Sequence, residues 1–360
     1  MKKQKFYLLI LSWLCFGAMA AFSSCSESDD DNTTPQVNSN KTTLTAVIDS
    51  VTTIYTGAVE GVKPGTYAVG SRATLKTAID LGTATKNDAT ATQAAVNTAV
   101  SSLRRAAVTF NASRLQEVSV ANLMAYWKFS GNANDATANG NNGTGKVGKI
   151  GATTPVDGTL VPVLVADRFG RANEAYQFGG GAYIEVPYKA VLNPQTMTIS
   201  LWCKRSDTNA DNYLVSLNRW NGFKFQLQSA NKPFLTATTT TGIFDRDADS
   251  GIVPLNKWTH VATSYVDGAL KFYIDGELVK TWTDTKGAIK AIPQNIPLCI
   301  GQQLPSTIYN STPTAAGLPA DYYQFYSEAF FKGQMDDIRI YNKALSDAEV
   351  KSIFTFENTL

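Results

Sequence analysis

Of the 360 residues, one is a histidine, His260. A general base needs an acid or a nucleophile beside it. His260 instead follows Trp258 between Thr259 and Val261, in a strand-like run, and is read as a packed or hydrogen-bonded side chain. Glycoside hydrolysis needs two carboxylates about 5–9 Å apart across the scissile bond. Ile274-Asp275-Gly276-Glu277 does not supply them, because a hairpin turn accounts for its Asp. A cation site is better supplied. Asp135 lies in a loop rich in Asn and backbone carbonyls that includes Asn139, and Asp336-Asp337 stand where the last strand begins. Calcium takes about six to eight oxygens from such groups, so these four residues are candidate ligands for a structural Ca²⁺. The competing reading has Asp135 and Asn139 in Asx turns and Asp337 paired with an arginine. Asp245-Arg246-Asp247-Ala248-Asp249 lacks the Gly and distal Glu of an EF-hand loop.

Aromatic side chains offer the other chemistry. Between two strands, Gln302 to Phe330 carries Pro305, Pro313 and Pro319, then Asp321-Tyr322-Tyr323-Gln324-Phe325-Tyr326. A loop this long inside a compact domain is usually functional or disordered. Exposed rings stack on sugar faces while hydroxyls pair with the sugar's own, which makes Tyr322, Tyr323, Phe325 and Tyr326 ligand-binding candidates. Trp220, flanked by Asn218, Arg219 and Asn221 at a hairpin tip, is another. The alternative is that these rings cover the edge of the fold.

The N-terminus supplies an address. Lys2, Lys3 and Lys5 precede an apolar run from Phe6 to Phe22, the layout of a secretory signal. Phe22-Ser23-Ser24-Cys25 resembles a lipobox, which implies cleavage before Cys25 and acylation of that residue. Each buried CH₂ of an acyl chain adds about 0.8 kcal/mol of membrane affinity. The acidic run Ser26-Glu27-Ser28-Asp29-Asp30-Asp31 resembles the export tag of bacterial outer-membrane lipoproteins displayed on the cell exterior. The mature chain would then keep 29 basic against 30 acidic residues, since Lys2, Lys3 and Lys5 leave. Near-neutral charge argues against a nucleic-acid partner. Of four cysteines only Cys203 and Cys299 remain for the fold, and they are read as buried thiols.

Residues 25–40 are polar and linker-like, and residues 41–117 read as a three-helix bundle. Leu44, Val47, Ile48, Val51 and Ile54 form one stripe, Leu75, Ala78 and Ile79 a second, and Val96, Val100, Leu103, Ala107 and Phe110 a third. Thr90 and Gln93 are spaced as a capping box for the third helix. Residues 118–360 read as all-β. Asp267-Gly268 and Asp275-Gly276 predict two type I′ hairpins, further short strands recur to Tyr341, and Ser346 with Glu349 caps a closing helix. The fold class is therefore a small all-α bundle followed by a jelly-roll sandwich.

Leu75 to Ile79 and Gln93 to Leu103 resemble the FIVAR-type three-helix modules of bacterial surface proteins, which implies a spacer. Leu123-Met124-Ala125-Tyr126-Trp127-Lys128-Phe129, Tyr176-Gln177-Phe178-Gly179-Gly180, Thr198-Ile199-Ser200-Leu201-Trp202, Trp258-Thr259-His260-Val261-Ala262 and Phe331 to Ser346 together resemble a laminin-G-like, concanavalin A-like domain. That resemblance implies a lectin-like jelly roll that binds carbohydrate, with a Ca²⁺ joining the first loop to the last strand. Hydrolases of that family carry an E-x-D-x-x-E strand, which this sequence lacks, so no enzyme is expected. The resulting expectation is a non-catalytic lipoprotein, anchored to the bacterial outer membrane by its lipid and binding a polysaccharide or host glycan. The alternative is a protein adhesin or scaffold with the same fold.

Overall fold

The computed structural model describes residues 38–151, 154–208, 211–228, 230–292, 296–312, 322–325 and 330–359. The signal, Cys25, the acidic run and Tyr326 lie outside these residues. Three helices come first: α1 (Thr42–Gly57), α2 (Ser71–Asn87) and α3 (Gln93–Ala112). They bury Leu44, Ile48, Leu75, Ile79, Val96 and Leu103 against one another, the stripes that 3.6-residue periodicity selects. None of the described helices is long and apolar enough to cross a membrane. The start of α3 departs from the capping box expected at Thr90. Asp88 Oδ1 accepts both the Thr90 N–H at 2.8 Å and its hydroxyl at 2.7 Å. Thr92 caps instead, its hydroxyl accepting the Ala95 N–H at 3.2 Å.

The sandwich is built from β1 (Leu123–Trp127), β2 (Thr144–Lys146), β3 (Lys149–Ile150), β4 (Val156–Asp157), β5 (Val163–Val165) and β6 (Ala175–Phe178). There follow β7 (Tyr183–Val186), β8 (Met197–Arg205), β9 (Asp211–Leu217), β10 (Phe223–Gln228), β11 (Lys232–Thr238) and β12 (Ile243–Asp247). Then come β13 (Thr259–Val266), β14 (Ala269–Ile274), β15 (Glu277–Trp282), β16 (Leu298–Ile300) and β17 (Gly333–Tyr341), closed by α4 (Asp347–Glu357). An eight-stranded sheet runs β15-β14-β13-β8-β17-β6-β5, with β1 also paired to β17. A seven-stranded sheet runs β12-β11-β10-β9-β16-β7-β2. Crossovers such as β8 between β13 and β17 are what a jelly roll requires, and the two sheets meet face to face. Ile199, Leu201, Phe272 and Ile340 from the first interlock with Val215, Phe223, Phe225 and Leu235 from the second.

Strand alternation then decides what each outer face carries. On β10, Phe223, Phe225 and Leu227 point into the core, so Lys224, Gln226 and Gln228 point out. On β8 and β13, Trp202 and His260 point out, under α4. The Asp275-Gly276 turn is type I′ as expected, with φ of 48° and 75°. The Asp267-Gly268 turn is not: only Gly268 has a positive φ, 86°, whereas type I′ requires two such residues.

Candidate functional site

Outward residues of the seven-stranded sheet align in two rows. Ladder pairing places Ser216, Lys224, Thr236 and Asp245 in register across β9 to β12, and Tyr213, Gln226, Phe234 and Asp247 in the next. A bulge in β9 opposite Phe225 and Gln226 brings Tyr213 onto this face. Lys224 is buried; its ammonium donates to Gln226 Oε1 at 2.8 Å and lies over the Tyr213 and Phe234 rings at 5.6 and 5.1 Å. Rings so placed stabilise the buried cation. Gln226 Nε2 reaches Gln228 Oε1 at 3.4 Å, and the Thr236 hydroxyl donates to Asp245. Asp245 is exposed, while Gln228 and Trp220 are half-buried. The arrangement combines amide, ammonium, hydroxyl and carboxylate groups with aromatic rings along about 17 Å of β10. Such groups hydrogen-bond hydroxyls and stack on flat apolar faces.

The aromatic segment after β16 is placed differently from the expectation of exposed stacking platforms. Tyr322, Tyr323 and Phe325 are buried, packed with Ile296, Leu304 and Tyr309 in a small core of their own. The Tyr322 hydroxyl donates to the Asn218 carbonyl at 2.6 Å, and Arg219 Nη1 donates to the Gln324 carbonyl at 2.9 Å. The Ser216 hydroxyl donates to the Gln303 carbonyl at 2.7 Å, so the start of the segment lies on the outer face of β9. Burial pushes the Tyr322 and Tyr309 phenols well above the ordinary tyrosine range. These three rings therefore fill a small core beside the turn after β9, because apolar surface in a long loop is most stable when folded back onto the fold. Trp220 alone among the described candidates keeps a partly open ring, held edge-on to Tyr322 at 6.3 Å under the Arg219 guanidinium at 4.0 Å. Asn218 and Arg219, both at positive φ (52° and 48°), set that turn. The polar row Lys224, Gln226, Gln228 was missed by motif reading; the alternation Phe-Lys-Phe-Gln-Leu-Gln was the signal that could have found it.

The structure gives the calcium candidates Asp135, Asn139, Asp336 and Asp337 partners within the chain. Asp135 does join the first loop to β1, but as a hydrogen-bond hub. Its carboxylate accepts the N–H groups of Tyr126, Thr137 and Asn141, the Thr137 hydroxyl and the Asn141 side-chain amide, at 2.8–3.0 Å. Asn139 turns its amide N–H to the Met124 carbonyl at 2.9 Å. The carbonyls of Asn139 and Gly140 accept the Lys189 ammonium at 2.6 and 2.8 Å. Asp336 and Asp337 pair with Arg168 at 2.6 and 2.9 Å, and the Tyr126 hydroxyl donates to Asp337 at 2.5 Å. The oxygens a calcium ion would need are already met by N–H, O–H and two built-in cations. Among the described residues no three acidic, His or Cys side chains converge. These four residues do not fit Ca²⁺.

His260 is buried and its pKa is pushed down to about 3, first by burial and then by the nearby Arg339 and Arg168 charges. Its Nε2 sits 2.8 Å from the Ser200 hydroxyl, and its ring lies between Trp202 and Phe354, out of reach of a substrate. Cys203 on β8 and Cys299 on β16 lie in different sheets, both buried and unpaired. Burial raises both thiols, Cys203 to about 12, so neither is a ready nucleophile.

Comparison with known proteins agrees with this architecture. The family described as the concanavalin A-like lectin/glucanases superfamily, laminin G type, matches residues 178–351. A 194-residue stretch is 25% identical to adhesion G-protein coupled receptor V1 of Danio rerio, covering 50% of this chain and 3% of that protein. The chain thus spans a small fraction of that relative's length. Domain 4 of AbnA, a GH43 extracellular arabinanase from Geobacillus stearothermophilus solved with arabinotriose, is 20% identical. The likeness has a TM-score of 0.46 over 64% of this chain and 98% of that one. The binding domain of Paraclostridial Mosquitocidal Protein 1 is 18% identical, with a TM-score of 0.44 over 65% of this chain and 52% of that one. The family match begins at the end of β6, yet β1 lies in the same sheet, paired with β17 from Leu123↔Tyr341 to Trp127↔Ile338. With two antiparallel sheets, jelly-roll crossovers and the family match in place, residues 178–351 of this chain form a laminin G-type, concanavalin A-like jelly-roll domain.

Proposed function

We propose that this chain is a non-catalytic binding protein whose sandwich holds carbohydrate on the outer face of the seven-stranded sheet. The observation that carries this reading is the polar row on β9 to β12. Buried Lys224 and Gln226 orient the more open Gln228, and buried Thr236 holds the exposed Asp245, with the Trp220 ring at one end. Family membership supports it, as does the seclusion of His260. Asp336, the buried carboxyl held well above its ordinary range, is closed in by Arg168 and is no accessible acid. The test is a glycan array on the full mature chain, followed by titration of Trp220→Ala and Gln228→Ala against the best saccharide. Both variants should bind about tenfold more weakly, the loss of one stacking or paired polar contact, with melting temperature unchanged.

A protein partner is the second reading, favoured by a strip of exposed apolar side chains at Val156, Leu160, Val161 and Val163 beside edge strand β5. We also propose that acylated Cys25 anchors the chain to the outer membrane facing outward, with the bundle as a spacer. Cys25→Ala should then move the protein from the membrane to the soluble fraction. Acyl labelling that persists in Cys25→Ala would reject the assignment.

A further inference from the structure

Where the helical bundle meets the sandwich there is a cavity of about 520 Å³, within the usual range for small-molecule sites. Its walls come from three parts of the chain. Val62 and Leu115 belong to the bundle, Val118 and Val120 to the connecting segment, and Ile353 and Phe356 to α4. Ser352 on α4 ties the junction together, its hydroxyl accepting the Gln116 N–H at 2.7 Å. Two of the apolar side chains are conspicuously open for their type, Val120 at 82% and Phe356 at 44% exposed. The same lining carries the polar side chains of Lys128, Thr137 and Arg339. Lys128 is exposed, rests its ammonium 5.3 Å above the Tyr126 ring, and has no carboxylate partner among the described residues. The other charges nearby are already matched. Arg339 stacks on Tyr126 at 3.9 Å and pairs with Glu357, Asp337 pairs with Arg168, and Asp135 is saturated by N–H and O–H donors.

A largely apolar cavity whose lining carries one cation without a carboxylate partner among the described residues has a complementary chemistry. From it we infer a second ligand site, separate from the sheet face, that takes a single-chain amphipathic carboxylate with its chain along Val118, Val120 and Phe356 and its head at Lys128. Each methylene removed from water there contributes about 0.8 kcal/mol, and the carboxylate supplies the charge that Lys128 lacks.

Calorimetric titration of the full mature chain with dodecanoate, and with dodecyltrimethylammonium as its cationic counterpart, tests this. Dodecanoate should bind one molecule per chain and the cationic amphiphile far more weakly. Val120→Asp places a charge among the chain contacts and should weaken dodecanoate about tenfold. Lys128→Ala should weaken it about threefold to fivefold and erase most of the preference over the cation. Both positions are exposed, so melting curves should match the parent. No binding of dodecanoate, equal binding of both amphiphiles, or an unchanged Val120→Asp would overturn the site. Light scattering that shows a dimer of the parent and a monomer of Val120→Asp would assign the cavity to a second copy instead, and also overturn it.

Discussion

Arg168 holds the buried acidic pair Asp336 and Asp337. Its guanidinium faces Asp336 and Asp337, donates to the Glu357 carbonyl at 2.7 Å and lies over the Trp202 ring at 4.6 Å, with its side chain 3% exposed. Removing it would leave two buried carboxylates with one cation fewer. Arg168→Ala should therefore cost about 3–5 kcal/mol, read from the denaturant midpoint. Asp336 and Asp337 share that one arginine, so burial and Asp337's charge hold the Asp336 carboxyl up at about 8. A folded-state pKa above the unfolded one gives stability that is complete at acidic pH and lost as pH rises toward 8. His260 works in the opposite sense. Its pKa is depressed to about 3, so its contribution is present above the usual histidine value and lost as pH falls toward 3. Between about pH 6.5 and 8 only the Asp336 slope remains. The melting temperature should fall across that window, and Asp336→Asn should flatten the fall. An unchanged slope in Asp336→Asn would remove this account of the pair.

Among the elements, α4 is the one whose local signals and tertiary role coincide. Ser346 and Glu349 form the reciprocal capping box expected from their spacing, with Glu349 also paired to Lys343 at 2.6 Å. The helix then lays Val350 and Ile353 on Ala262, Tyr273 and Tyr341. Phe354 stacks on Trp202 at 5.6 Å, while Glu357 accepts the Trp202 indole N–H at 2.8 Å. Ser346→Ala should cost about 1 kcal/mol. Gly276→Ala should cost more, because its Cβ would come within 2.8 Å of the Phe354 Cβ at a φ of 75°. Differential scanning calorimetry of both variants gives the order. The box at Ser346 was legible because its four residues are local and complete. Thr90 misled because Asp88, two residues earlier, claims the same hydroxyl, and spacing alone does not show such competition. Likewise the I′ turn was legible at Asp275-Gly276, where the backbone agrees, and not at Asp267-Gly268, where only one residue is left-handed.

For the whole molecule, the two-part organisation and the sandwich were legible because they follow from periodicity: 3.6-residue stripes up to Phe110 and alternating strands from Leu123 onward. The site was legible only in part. Trp220 was found as an aromatic at a hairpin tip, but the fate of Tyr322, Tyr323 and Phe325 depends on a fold-back from Gln303 onto Ser216, some 90 residues earlier in the chain. The same limit applies to calcium. The loop around Asp135 has the composition of a cation site, and only the three-dimensional fold brings Lys189 and Arg168 to its carbonyls and to the neighbouring carboxylates. Lys224, missed because lysine on a strand reads as solvent-facing, turns out buried between two rings. The central claim is that the β9–β12 face holds carbohydrate, and it is tested most directly by the affinity of the full mature chain for an array-selected saccharide before and after Gln228→Ala and Trp220→Ala. The account predicts measurable binding that drops about tenfold in each variant with no change in melting temperature. No saccharide retained by the parent, or variants that bind as the parent does, would contradict it.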